Sequence, residues 1–410
     1  MIYDVIIIGS GISGLYAAYN IKKHDPNLSI LVLEKHKKQW IGGRASNELF
    51  FGTEIATGAG IGRKHDKLLK KLVLELGFKV KEFKSVPQYS TLGDPIDVLH
   101  VMEFLRGQHK KYRGPPTTFE NFAKPLLGPE NYKRFLFSSG YTDYEKEDIH
   151  DTLYNYGMED NACCLTGFGV HWHKTVLALA HRIGENNIKF SQNVVAISGD
   201  DGKGEDEIFA VETEGGRKFK CKRVIVATTI TSLRALFPDH PIYQEIEGQP
   251  FMRIYGKFAK QSISIMKEYV KGHIAVPGPI QKMITMNAET GVYMIVYNDN
   301  ANAVALKSRT ENTKENREYY CRLIERSVGM PTGRLNLVAI RSYYWGVGTH
   351  LYKPLNIDKY KTRDKFIDTA QHPKDGILVV GEVVSKHQGW TEGALESVES
   401  VLTKKWINNI

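Results

Sequence analysis

The sequence predicts an α/β protein in which a Rossmann-like domain is interleaved with an α+β domain. Three observations predict it. Residues 2–8 form an apolar run that leads into three spaced glycines, a helix, and a second apolar run ending in an acid. A comparable apolar run, residues 376–381, lies near the other end of the chain. Residues 80–165 are rich in aromatics, prolines and charge, and lack any repeating strand–helix rhythm.

Residues 2–8 are apolar except for Asp4, as expected of a strand covered on both faces of a parallel sheet. The stretch GSGISG at 9–14 opens a helix over residues 15–22, and residues 29–34 form the next buried strand. Such a βαβ unit has a right-handed crossover. Residues 66–76 set Leu68, Leu69, Leu72, Val73 and Leu76 on one helical face, with Gly77 as C-cap. A helix over 174–182 precedes an exposed turn at 200–206 and short strands at 207–213, 217–220 and 223–229. Residues 251–300 hold several strand-like runs, including 291–297; a helix over 313–326 and strands at 335–341 and 376–381 follow. The expected limits are 1–79, 170–245 and 370–410 for the Rossmann-like domain, with 80–169 and 246–369 forming the second.

Composition narrows the class. The chain has 410 residues, 42% of them hydrophobic and 25% charged, which is ordinary for a globular protein with a large core. The net charge is +9, but the basic clusters at 35–38, 106–113 and Lys404, Lys405 lack the pattern of a basic arm, so no nucleic-acid partner is expected. Cys163, Cys164, Cys221 and Cys321 fit neither a disulfide framework nor a CxxC redox motif, which points to a reducing, cytoplasmic setting. No run of 18 apolar residues marks a membrane span. His171 and His173 have no third ligand at a matching spacing, so no metal is expected.

The motifs carry more. Gly9 permits the tight turn, Gly11 lets phosphate approach the backbone, and Gly14 lets helix and strand pack closely. A pyrophosphate would rest on the N–H groups at the helix start. Glu34, at the end of the second strand, is placed to accept hydrogen bonds from an adenosine ribose. These features admit NAD or FAD. Gly42, Gly43 and Arg44 add two sites of close backbone approach and a cation suited to phosphate. Near the C-terminus, Glu382 ends a strand and Trp390 precedes a helix beginning near Thr391, whose positive dipole end would face whatever is bound at the sheet's carboxyl edge.

Four segments together resemble the flavin-dependent amine oxidase family, which includes monoamine oxidases, polyamine oxidases and L-amino-acid oxidases. They are the fingerprint with Glu34; GGR at 42–44; TGAGIG at 57–62, which includes Gly58, with the helix after it; and VGEVVS at 380–385 with GWTEGA at 389–394. The resemblance implies an amine-oxidase-like two-domain fold and bound FAD. It puts Glu382 near the ribityl and phosphate portion, and Thr391, Glu392 and Ala394 at the helix under the flavin ring. It makes Trp390 one wall of an aromatic cage and His350 the opposite wall, where relatives often have tyrosine. Thr349 stands where some relatives attach flavin through cysteine, so the FAD is expected to be non-covalent. Arg253 stands where most relatives have a lysine near the flavin, and an arginine holds its charge more stubbornly. Ile61 stands where the amino-acid-oxidase branch has an arginine, which favours a substrate without an α-carboxylate. Tyr343, Tyr344 and Trp345 are candidates for lining a substrate funnel.

The implied activity is FAD-dependent oxidation of a monoamine or polyamine to an imine and then an aldehyde, with O2 reduced to H2O2. The expected partners are a small-molecule amine and O2, and a homodimer is compatible with the sequence. Three other readings stand beside it: an L-amino-acid oxidase, an FAD-dependent dehydrogenase or desaturase, and a non-enzymatic FAD-stabilised binding protein.

Overall fold

The computed structural model describes residues 1–159, 165–199 and 208–408. The cysteines at 163 and 164 and the turn expected at 200–206 lie outside them.

The first strand, Ile2–Ile8, runs parallel to Ile30–Leu33 on one side and to Lys218–Val226 on the other. These belong to a seven-stranded sheet in which Ile377–Val379 also pairs with Lys218–Val226. Alternation along the first strand explains its uniformly apolar character. Val5 and Ile7 enter a core with Leu15, Val32, Leu395 and Val398, while Ile6 and Ile8 enter a second core with Leu31, Leu33, Val224 and Val379. Each such side chain contributes roughly 1.5–3 kcal/mol by leaving water. Helix Ile12–His24 covers the first of these cores and ends with Lys22, Lys23 and His24, which suit its negative dipole end. Helix Thr391–Val401 packs beside it through Leu395 and Val398.

The predicted elements are recovered with adjusted limits. Helix Lys67–Glu75 ends as expected: Gly77 has φ +90° and Phe78 N–H donates to the Val73 carbonyl. The runs at 217–220 and 223–229 form one strand, Lys218–Val226, because Arg223 continues the ladder between them. The strand expected at 335–341 extends over Leu337–Tyr352, since its antiparallel ladder with Ile246–Phe258 carries on through the aromatic run.

The second sheet has six strands in the order Leu337–Tyr352, Ile246–Phe258, Val292–Asp299, Lys282–Asn287, His273–Ala275 and Gln88–Tyr89. One face, with Met252, Ile254 and Ile295, packs into a core shared with helix Lys314–Val328. Residues 80–165 include helices Val98–His109, Phe119–Leu127, Pro129–Ser139 and Ile149–Tyr154, packed around Met102, Leu105, Phe119, Phe135 and Tyr144. Among the described residues no helix is long and apolar enough to cross a membrane.

Candidate functional site

Four chain segments meet at the carboxyl edge of the first sheet. Gly9 has φ +106°, and a Cβ there or at Gly14 would collide with the carbonyl oxygens of Ala227 and Gly9 respectively. Gly11 and Gly43, in contrast, have open space where a Cβ would be. The turn is pinned by Glu34, whose Oε2 accepts from the N–H and Oγ of Ser10 at 2.9 and 2.8 Å, while Oε1 accepts from His36 N–H. Helix Ile12–His24 begins at Gly11 with no side-chain cap and no acid in its first turn. Its uncapped N–H groups therefore suit an anion.

The GGR turn docks directly on this fingerprint: Gly42 N–H donates to the Ser10 carbonyl at 3.0 Å. The next layer is the 57–62 loop, where Ala59 N–H donates to the Arg44 carbonyl and a Cβ at Gly58 would strike Arg44 backbone. Two tryptophans fix this loop. Trp172 Nε1 donates to the Gly60 carbonyl at 3.0 Å, and Trp345 Nε1 to the Thr57 carbonyl at 2.8 Å.

Arg44 ties the remaining parts together. Its Nη1 donates to the Gly348 carbonyl at 2.6 Å and to Glu382 Oε2 at 3.2 Å. Glu382 is buried at the end of strand Ile377–Val379, and its Oε1 accepts from His350 N–H and Gly389 N–H at 2.9 and 2.8 Å. Burial alone would raise its pKa, but His350 and Arg44 outweigh that and hold it at about 2.

His350 is where the expected cage needs correction. Its side chain is 0% exposed, Nδ1 lies 2.7 Å from Glu382 Oε2, and Nε2 accepts from Ile230 N–H at 3.2 Å. With Nδ1 bonded to Glu382 and Nε2 to the Ile230 N–H, the ring orients that carboxylate and presents no face to a ligand. Its neighbour Thr349 is half-buried beside Gly389, at the edge of the C-terminal turn.

Trp390 is the N-cap of helix Thr391–Val401, half-buried, with the Arg63 guanidinium 3.9 Å from its ring centroid. Arg63 Nε in turn donates to Asp66 at 2.9 Å. The start of this helix has no side-chain cap, because the indole of Trp390 has no acceptor, and Glu392 instead accepts from Leu68 and Leu69 N–H at 2.7 and 2.8 Å. Ala394 packs into the core beside helix Ile12–His24. Gly393 is obligatory, since a Cβ there would collide with the His387 carbonyl.

On the second sheet, Arg253 is buried with Nη2 3.2 Å from Tyr297 Oη and its guanidinium against Gly60. Burial opposes its charge, yet Tyr297 and Tyr255 hold its pKa above the usual value. Register places Tyr343, Arg253, Tyr297 and Lys282 as paired neighbours in one row across four strands, hence on one face. Lys282 is 1% exposed, with Nζ 2.9 Å from the centre of the Tyr141 ring.

The funnel expectation also changes. Tyr343 and Tyr344 are consecutive on a strand and so face opposite ways. Tyr343 packs with Tyr255 and Ile55, whereas Tyr344 lies against the core on the other face, near Lys307. They do not line one cavity. Ile61 packs toward Gly167, where a Cβ would stand 2.8 Å from its Cδ1. The acidic run at 143–148, which reads as a solvated loop, holds three buried acids: Asp143, Glu147 and Asp148. Trp172, Lys282 and Tyr297 also stand among these residues, although nothing local in the sequence singles them out as site candidates. Among the described residues no group of three His, Cys, Asp or Glu side chains is arranged to hold a metal.

Comparison with known proteins agrees with this fold. Residues 7–75 match the model of the NAD(P)-binding Rossmann-like domain, and residues 103–255 that of the flavin containing amine oxidoreductases. A segment of 117 residues is 36% identical to a Dictyostelium discoideum protein described as "Probable flavin-containing monoamine oxidase A"; it spans 28% of this chain and 21% of that relative. Uncharacterized protein R188 of Acanthamoeba polyphaga mimivirus is 20% identical over 495 residues, covering 98% of this chain and 93% of that one. Among solved structures, a redesigned putrescine oxidase double mutant superposes with TM-score 0.74 at 14% identity, covering 100% of this chain and 99% of its own. Cyclohexylamine oxidase from Brevibacterium oxydans IH-35A gives 0.75 at 13% identity, with the same coverage. At that identity the structural likeness establishes the fold.

Proposed function

We propose that this chain, whose residues 7–75 and 103–255 match the Rossmann-like and flavin containing amine oxidoreductase models, binds FAD and oxidises a small-molecule amine to an imine that hydrolyses to an aldehyde, with O2 as acceptor and H2O2 as product. The observation that carries the reading is the Arg44 guanidinium, bonded at once to Gly348 and Glu382. It draws the glycine turns, the C-terminal helix start and the second sheet around one volume.

The residues fit the cofactor. Uncapped N–H groups at Gly11 and beyond would take its diphosphate, the Glu34 carboxylate its ribose, and the start of helix Thr391–Val401 the electron-rich edge of its ring. With Thr349 beside Gly389, and the described cysteines 221 and 321 buried elsewhere, the FAD is held without a covalent bond. The bound flavin supplies a two-electron acceptor for the carbon beside the substrate nitrogen.

The protein supplies alignment and exclusion of water. Trp390 offers one ring face to the amine, because Arg63 covers the other. Arg253, fixed by Tyr297 against Gly60, places a permanent cation on the second-sheet side. The Arg253 cation on the second-sheet side is also what an α-carboxylate would meet, which makes an L-amino acid the second reading. An anaerobic panel separates them: flavin bleaching by monoamines or polyamines is expected, followed by peroxide on admitting air. Bleaching by L-amino acids alone would reverse the order, and bleaching without peroxide would make the protein a dehydrogenase.

A further inference from the structure

We propose that the basic face built around helix Lys67–Glu75 docks this protein on an anionic phospholipid bilayer. The inference stands apart from the amine reading.

Residues 64–84 contain seven lysines and three acids. The acids are already engaged. Asp66 is buried against Arg63, Glu75 pairs with Lys23, and Glu82 Oε1 accepts from Lys70 Nζ at 2.7 Å. Among the described residues the other six lysines form no ion pair, and all six are exposed.

The lysines are brought together by the fold rather than by a run in the sequence. Lys67, Lys71 and Leu74 stand at i, i+4 and i+7 on the helix, opposite the buried Leu69, Leu72 and Val73. The Lys70–Glu82 bond joins that outward face to strand Glu82–Ser85, the edge strand of a three-stranded sheet. There Lys84 pairs with Thr166, whose carbonyl accepts from Lys64 N–H at 2.9 Å, so Lys64 and Lys84 flank one residue. Along the same helix and strand, three apolar side chains are left in water: Leu74 is 52% exposed, Phe83 41% and Val86 62%.

The chemistry selects the partner. Lysine ammoniums are compact charges on long flexible stems, which suit a fluid layer of anionic headgroups. Base recognition in nucleic acids draws on the planar arginine fork, and the neighbouring arginine, Arg63, is buried on Trp390. Leucine and valine gain nothing from a sugar–phosphate backbone. At a bilayer they enter the boundary between headgroups and acyl chains. Because Arg63 directly precedes Lys64, the docked face adjoins the candidate site.

Vesicle flotation of the FAD-loaded protein tests this. Phosphatidylcholine vesicles are set against vesicles that also carry about 30% phosphatidylserine, at about 0.1 M salt. The protein is expected to float with the phosphatidylserine vesicles alone, and to be released at about 1 M salt, where the Debye length is about 3 Å. Lys64→Glu, Lys71→Glu and Lys84→Glu together should lower the partition coefficient by more than about tenfold. The same reversal at the exposed Lys110, Lys111 and Lys133, at or beside helices Val98–His109 and Pro129–Ser139, should leave it within about twofold. Flavin absorbance checks that each variant is folded. No flotation with either lipid, equal flotation with both, or equal loss from the two triple variants overturns the proposal. Retention of wild type by duplex RNA without flotation also overturns it, and would give the face to nucleic acid instead.

Discussion

The two sides of the site are built by different means. The cofactor side is made of backbone: glycine turns, uncapped helix starts, and carbonyls received by Trp172, Trp345 and Arg44. The proposed substrate side is made of buried side chains on a strand face, with Arg253, Tyr297 and Lys282 in one row. A backbone-built surface tolerates no added atom where chains touch, whereas a side-chain-built surface tolerates exchange if charge and volume are kept.

The sharpest way to break the comparison is at the glycines. Gly14→Ala would force a Cβ into the Gly9 carbonyl, so purified protein is expected to be colourless and to have lost several kcal/mol, roughly 1–3 or more. Gly11→Ala meets nothing within 4 Å of protein and should fold normally. Flavin absorbance and a thermal melt read both. If Gly14→Ala retains FAD, the backbone account fails.

Next is Glu382, where backbone and side chain meet. Its pKa falls from 4.5 to about 2 on folding. The stabilisation is thus fully present above pH 4.5 and lost as pH falls through 2, amounting to about 3 kcal/mol. Urea titrations between pH 5 and 2 should show this loss in wild type and not in Glu382→Gln.

On the substrate side, Arg253→Lys keeps charge but gives up the planar group beside Tyr297 and Gly60. The protein should stay yellow, while reoxidation by O2 accelerates by about tenfold, equivalent to 1.4 kcal/mol. Stopped-flow absorbance measures it, and an unchanged rate removes Arg253 from the acceptor chemistry. The smallest effect is predicted for Tyr344→Phe, on the far face of the strand: amine-driven bleaching should match wild type. A large change there would mean the strand faces are assigned the wrong way round.

This difference in construction also governs what could be read from the sequence. The tight packing at Gly9, Gly14 and Gly42 was legible because a close turn demands glycine at fixed spacing, and the demand is local. Arg253, Tyr297 and Lys282 become neighbours only through strand pairing, which leaves no local signal. His350 illustrates the limit. Its place near the site was evident, but nothing near it in sequence announces that Glu382 and the Ile230 N–H occupy both ring nitrogens. The acids at 143–148 look like an exposed run because burial is decided by Tyr156, Thr349 and Arg363, which come from elsewhere in the chain.

The first sheet is completed from opposite ends of the polypeptide: Ile2–Ile8 lies against Lys218–Val226, which lies against Ile377–Val379. During translation one neighbour of the first strand, Ile30–Leu33, follows at once, whereas the other, Lys218–Val226, emerges only much later. At about 5–20 residues per second, that delay is on the order of tens of seconds. Throughout it a sticky apolar edge is offered to other nascent chains, so production of the yellow, assembled form should depend on chaperone supply and slow growth more than on codon choice near the start.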